Sequence, residues 1–241
     1  MDEEVRTPEE PRTRGSAFRK SVKYWVTLGV IPLVVLVGFL AFRDRLYLWI
    51  SFAVVILSMI PFFLSFEKRR ISTARLVLLS VLVALSVLGR YLFSFVPAFK
   101  PVTALAILTG AYLGMECGFV CGSMSALLSN IIFGQGPWTP FQMFTWGLLG
   151  FLAGLLAPLF RKHHWTLWVY GAFAGLLYSM VMDIWTVMET DGAFSWAGYW
   201  TYQAAAVPVT LIMIGSNFIF LLLLSKPIGK NLERLCTKYG I

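Results

Sequence analysis

The chain has 241 residues, 58% of them hydrophobic and only 13% charged, with a mean hydropathy of +0.75, which excludes a soluble globular domain and marks an integral membrane protein. Its formal charge of +8 would suit a nucleic-acid partner only if the basic residues gathered on one face. They are scattered in short segments between apolar runs, so no nucleic acid is expected and the lipid bilayer is the surrounding.

Residues 1–23 alternate Glu, Arg, Pro and Thr with almost nothing apolar, the composition of a disordered tail. The first apolar run begins near Tyr24 and lacks a small-residue cleavage site, so it reads as a retained span and not a signal peptide. Spans are expected at 24–42, 46–66, 73–95, 101–114, 116–133, 139–160, 166–188 and 202–225, most of them near the ~20 residues that the hydrocarbon layer demands. The fourth and fifth are short and meet at Gly114-Met115-Glu116-Cys117, which predicts a compact helical hairpin. With the N-terminus inside, sixteen of the twenty Lys and Arg fall on the inner side and three on the outer, with Arg90 left in a span. That bias places both termini in the cytoplasm and turns the 134–140 loop outward, in a multi-pass protein of the cell membrane.

The fold class expected is therefore all-α integral membrane, a six-helix core preceded by two extra transmembrane helices. The accessory hairpin at 24–66 is rich in Val, Leu, Ile and Phe and is set off by Glu67-Lys68-Arg69-Arg70. From Thr73 to Ser225 small residues recur at fourfold spacing, as in Ser80 and Ala84, Gly118 and Gly122, Gly150 and Gly154, Gly171 and Gly175. Such spacing lets helix backbones approach closely where lipid gives no hydrophobic drive to pack. Residues 226–241 form a basic cytoplasmic tail. Cys117, Cys121 and Cys236 show no disulfide pattern and act as small apolar residues; the pair beside Glu116 has no histidine near it, so no metal and no cofactor is expected.

The most unusual stretch runs from Asn130 to Gln142, Asn-Ile-Ile-Phe-Gly-Gln-Gly-Pro-Trp-Thr-Pro-Phe-Gln. Turn formers there alternate with Asn130, Gln135, Thr139 and Gln142, all uncharged and all able to donate and accept hydrogen bonds. It is either the wall of a ligand site or a tight interfacial turn anchored by Trp138. Arg90 and Asp183 are the two ionisable residues clearly inside spans, where charge is costly and faces the bundle interior. Both lie about seventeen residues along inside-to-outside helices, which predicts that they meet each other or one ligand; a structural ion pair is the plainer alternative. Tyr91, Lys100, Trp185, Trp200 and Tyr202 gather at the same outer level, as belt residues or as pocket lining. No Gly-Lys-Ser/Thr phosphate loop is present, and His163 and His164 lie far from any nucleophile, so neither ATP hydrolysis nor hydrolase chemistry is expected of this chain.

Six close-packed helices, Lys100-Pro101-Val102-Thr103-Ala104, and the string Asn130 through Phe133-Gly134-Gln135-Gly136-Pro137-Trp138-Thr139-Pro140 to Gln142 together resemble the substrate-binding S component of an energy-coupling factor (ECF) vitamin transporter, over about two-thirds of the chain. The resemblance implies a non-enzymatic subunit that holds a vitamin beneath the outer loops. It also implies a membrane coupling (T) subunit and two cytoplasmic ATPase subunits as partners, docking on small residues that here are Ser80 and Ala84. The Gly-Gln-Gly-Pro-Trp-Thr-Pro string is similar to a branch associated with cobalamin; riboflavin or pantothenate are the smaller alternatives. A self-sufficient secondary carrier is the reading from outside this family.

Overall fold

The computed structural model describes residues 46–68 and 72–240, and among these the chain is helix and turn with no strand. The expected span at 24–42 and the tail before it lie outside the described residues. The helices described are α1 Leu46–Lys68, α2 Thr73–Leu92, α3 Val102–Leu113, α4 Met115–Phe133, α5 Trp138–Leu155, the short α6 Ala157–Lys162, α7 Trp165–Asp191 and α8 Trp196–Tyr239. Four of them, α2, α4, α7 and α8, are long and apolar enough to cross a membrane.

The bundle is organised around α3. With 12 residues it is too short to span a bilayer by itself, and all but Tyr112 are buried. A helix enclosed by protein needs no polar stripe, so its sequence, VTALAILTGAYL, is apolar or small all round. It packs on α2, α4, α5 and α8. A single residue, Gly114 at φ +100°, joins it to α4. Only glycine takes that conformation without strain, so the hairpin expected at this junction closes in one step.

Small residues set how closely α3, α4 and α5 approach. A methyl group built on Gly110 or on Gly118 would strike the carbonyl oxygen of Gly150, and one on Gly150 would strike the carbonyl oxygen of Gly118. Three backbones thus meet at one place, the close approach expected from the fourfold spacing. On the other side of the bundle, α7 and α8 are joined by Asn217, whose Nδ2 donates to the Gly171 carbonyl at 3.1 Å. Around these contacts Ile107, Leu108, Trp146, Leu149, Tyr178 and Leu221 form the main core.

The boundaries differ from expectation in two places. The expected span at 139–160 is divided, α5 ending at Leu155 and α6 starting with a proline in its first turn. Pro158 lacks an amide hydrogen and suits the start of a helix better than its interior. The last helix is longer than its apolar segment. It begins at Trp196, capped by the Ser195 hydroxyl accepting from the Gly198 amide, and continues to Tyr239 through Pro208 and Pro227. The basic tail at 226–241 is therefore helical to Tyr239, and its Leu232 joins Leu79, Leu82, Leu113 and Cys117 in a second apolar cluster.

Helix α1 attaches by one face. Val55, Met59 and Phe62 are buried, with Phe62 stacked on Phe119 at 3.9 Å, whereas Leu57, Ile60 and Leu64 are exposed.

Candidate functional site

Arg90 lies in the last turn of α2, and its guanidinium reaches the end of α4. Nη1 donates to the Ser129 hydroxyl and to Asn130 Oδ1, the latter at 2.8 Å. Asn130 is 1% exposed. Its Nδ2 donates in turn to Thr139 Oγ1 and to Gln142 Oε1, both at 2.9 Å, on the first turns of α5. Thr139 Oγ1 donates to Gln135 Oε1 at 3.0 Å, and Gln135 Nε2 donates to the Leu127 carbonyl at 2.8 Å. A buried amide must have partners for both its ends, and this chain of bonds supplies them. The uncharged loop is thus a hydrogen-bonded clasp that ties α4 to α5 and presents the Arg90 cation beside it.

Rings form the adjoining wall. The Arg90 guanidinium carbon sits 4.8 Å from the Phe133 ring centroid and 5.2 Å from that of Trp146. Trp146 is fully buried, stacks on Tyr178 at 4.9 Å, and donates its indole hydrogen to Thr103 Oγ1 at 3.2 Å. Lys100, in the connector between α2 and α3, places Nζ 5.4 Å from Trp146 and 6.0 Å from Tyr178. Its backbone is held by α8, where Ser216 Oγ accepts from the Lys100 amide at 2.9 Å. Cations over ring faces in a partly desolvated place are attracted by the ring quadrupole.

Burial pushes the Lys100 ammonium down to about 8, with the nearby Arg90 charge as a second cause. The groups that face it are Arg90 from α2, Trp146 from α5 and Tyr178 from α7. The folded protein therefore binds fewer protons than the unfolded chain between about pH 8 and the ordinary lysine range. Ligand-free stability should rise as pH rises through 8, because the penalty on the charged form disappears. Melting curves in detergent from pH 7 to 10 should show wild type gaining stability relative to Lys100→Gln; a constant difference would contradict the buried ammonium.

The structure brings Arg90, Asn130, Gln135, Thr139 and Gln142 into one network and sets Lys100 against the same tryptophan. Trp138 is 37% exposed, with its ring lying over Gly136. The other residues singled out in the sequence lie elsewhere. Tyr91 is exposed; Trp185 packs on Phe141 in an apolar cluster with Val55 and Met188; Trp200 is exposed beside Tyr199; and Tyr202 donates to Asp191 Oδ1 at 3.0 Å. Asp183 is buried, and its Oδ2 has no hydrogen-bond partner among the described residues.

No ion pair joins Asp183 to Arg90, whose donor goes to Ser129 and Asn130 instead. Helix α7 reaches Arg90 and Lys100 through Tyr178, more than one turn before Asp183, and Asp183 stands instead near Tyr199 of α8. Sequence reasoning missed Thr103, Ser129, Trp146 and Tyr178. One signal was available: Trp146 stands four residues, about one helical turn, after Gln142 and so shares its face.

A cation with fixed partners and a second cation thus face one tryptophan ring, the kind of polar and aromatic groups that small-molecule sites combine. The family model described as ECF transporter, substrate-specific component, matches residues 74–227. No curated protein matches the chain, and neither does any solved structure.

Proposed function

The chain belongs to the ECF transporter substrate-specific component family, and from that premise we propose that it captures a vitamin at the outer face of the cell membrane through Arg90, Lys100 and the Asn130–Gln142 clasp. A membrane coupling subunit and two ATPase subunits then drive its release inside. The observation that carries this reading is the junction of Arg90 with Asn130, Thr139 and Gln142 at the end of the bundle where Lys100 meets Trp146. In this reading the six-helix core is preceded by two accessory helices, both termini lie in the cytoplasm, and Gln135 and Trp138 roof the site.

Between a cobalamin and a smaller vitamin such as pantothenate or riboflavin, the geometry favours the smaller. The amides of Asn130, Gln135 and Gln142 are bonded to protein rather than turned outward, which leaves few free groups for a large polar ligand. Mass spectrometry of the gently purified chain tests the proposal. One equivalent of a vitamin-sized molecule should be released on denaturation, and uptake into cells should require the ATPase partners. Uptake by the chain alone on a proton gradient would instead favour a secondary carrier.

Ser80 and Ala84 are both exposed on α2, on a stripe with Leu76, Val77, Val81 and Leu88. The Ser80 hydroxyl donates to the Leu76 carbonyl at 2.9 Å, so the stripe presents a small, smooth surface on which a partner helix can lie closely. Ala84→Trp should leave ligand retention unchanged and reduce ATP-dependent uptake about tenfold or more, since a bulky ring parts the two helices. Undiminished uptake would move the docking surface elsewhere.

A further inference from the structure

Arg90 and Lys100 present two positive charges to one tryptophan ring. No carboxylate among the described residues pairs with either: the side-chain partners of Arg90 are the neutral Ser129 and Asn130, and the only hydrogen bonds of Lys100 run through its backbone to Ser216. Donor capacity is also left over. Only Nη1 of Arg90 bonds to protein, while its Nε and Nη2, and Nζ of Lys100, carry no hydrogen bond within the described residues. None of these atoms is sealed from solvent, since none is among the buried atoms that lack a partner. The buried carboxylate of Asp183 pairs with neither cation and stands near Tyr199 of α8.

Two like charges held together and partly out of water are unfavourable unless an opposite charge joins them. One cation is enough to orient a neutral vitamin by hydrogen bonds; a second, placed where it opposes the first, calls for an anion. We infer that the substrate is an organic anion, its carboxylate or phosphoryl oxygens held by Arg90 and Lys100 and its flat or apolar body against Phe133 and the neighbouring rings. Guanidinium and ammonium donors to an anionic oxygen are among the stronger hydrogen bonds available to a protein. The low proton affinity of Lys100, set by burial and the Arg90 charge, fits the same account, because a bound anion would favour the charged form. This inference rests on the reading of the chain as a substrate-capture subunit.

The test uses the full chain in lipid nanodiscs and yeast extract separated by ion exchange into anionic, neutral and cationic small-molecule fractions. Only the anionic fraction should raise the melting temperature. The stabilisation should weaken about tenfold in Lys100→Gln and be kept in Lys100→Arg, which retains the charge. It should also weaken between 50 and 500 mM sodium chloride, a readout that needs no variant to fold. Stabilisation by the neutral or cationic fraction, or stabilisation by the anionic fraction that ignores both salt and Lys100→Gln, would overturn the anion while leaving substrate capture intact. Silence from all three fractions would overturn capture itself, and the anion with it.

Discussion

Gly150→Val is expected to abolish the folded state. The added atoms would enter the place where α3, α4 and α5 meet, against the carbonyl oxygens of Gly118 and Ala106. Backbone cannot turn aside as a flexible side chain can, so the helices must separate. Overpacking of this kind costs about 1–3 kcal/mol in an ordinary core and more where the obstacle is rigid. Each Ångström of separation would also weaken the contacts of Ile107, Leu108 and Leu149 in the main core. Size-exclusion chromatography in detergent should show aggregate in place of a monodisperse peak. Gly215→Ala is the control, because nothing lies within 4 Å of the added atom, and its melting temperature should stay close to wild type. If Gly150→Val eluted and melted like Gly215→Ala, the three-backbone contact would be wrong.

Asn130→Leu should be the most damaging single change at the site. Leucine keeps the branched shape, with somewhat more bulk, and removes three hydrogen bonds at once: the acceptor for Arg90 and the donors to Thr139 and Gln142. The partners left behind are worse off than if they had never been paired, because each retains its desolvation. Leaving a partly buried guanidinium with half its fixed partners costs about 3 kcal/mol, equivalent to roughly a hundredfold in ligand affinity. Asn130→Asp separates the parts of this effect. It keeps an acceptor for Arg90 but turns an oxygen toward Thr139 Oγ1 and Gln142 Oε1, so the clasp between α4 and α5 opens while the Arg90 contact survives. Ligand retained per purified chain should fall in both variants, and the melting temperature should fall further in Asn130→Leu. Full retention in Asn130→Leu would remove the clasp from the binding account.

The parts legible in the sequence are those fixed by local chemistry. Apolar length located most of the helices from 46 onward to within a few residues, because the bilayer imposes it, while the split at Leu156 and the full length of the last helix went unread. The amides at Asn130, Gln135 and Gln142 stood out because uncharged hydrogen-bonding groups in a turn between spans need partners, and the structure supplies them from one another. Small residues at Gly118, Gly122, Gly150 and Gly154 announced close packing, because their spacing puts them on one helix face. Azimuth was not legible. The positions of Arg90 and Asp183 gave their height along two helices, but which side of the bundle each faces depends on how α2 and α7 are packed. Trp146 and Tyr178 were hidden by their surroundings, since an aromatic residue in an apolar run reads equally as lipid-facing or as core. The continuation of α8 past Ser225 was masked by Lys226 and Pro227, which by local rules end a helix. Here Leu232 has an apolar cluster to enter, and tertiary burial prevails over the local stop.

A cryo-electron microscopy map of the chain with its co-purified ligand, bound to a rigid antibody fragment for size, would locate the bound molecule. Ligand density is expected between Arg90, Lys100 and Trp146, within hydrogen-bonding distance of the free nitrogens of both cations. Density instead in the 170 Å³ cavity lined by Tyr112, Arg161, His164 and Glu233, with the space beside Trp146 empty, would contradict that placement.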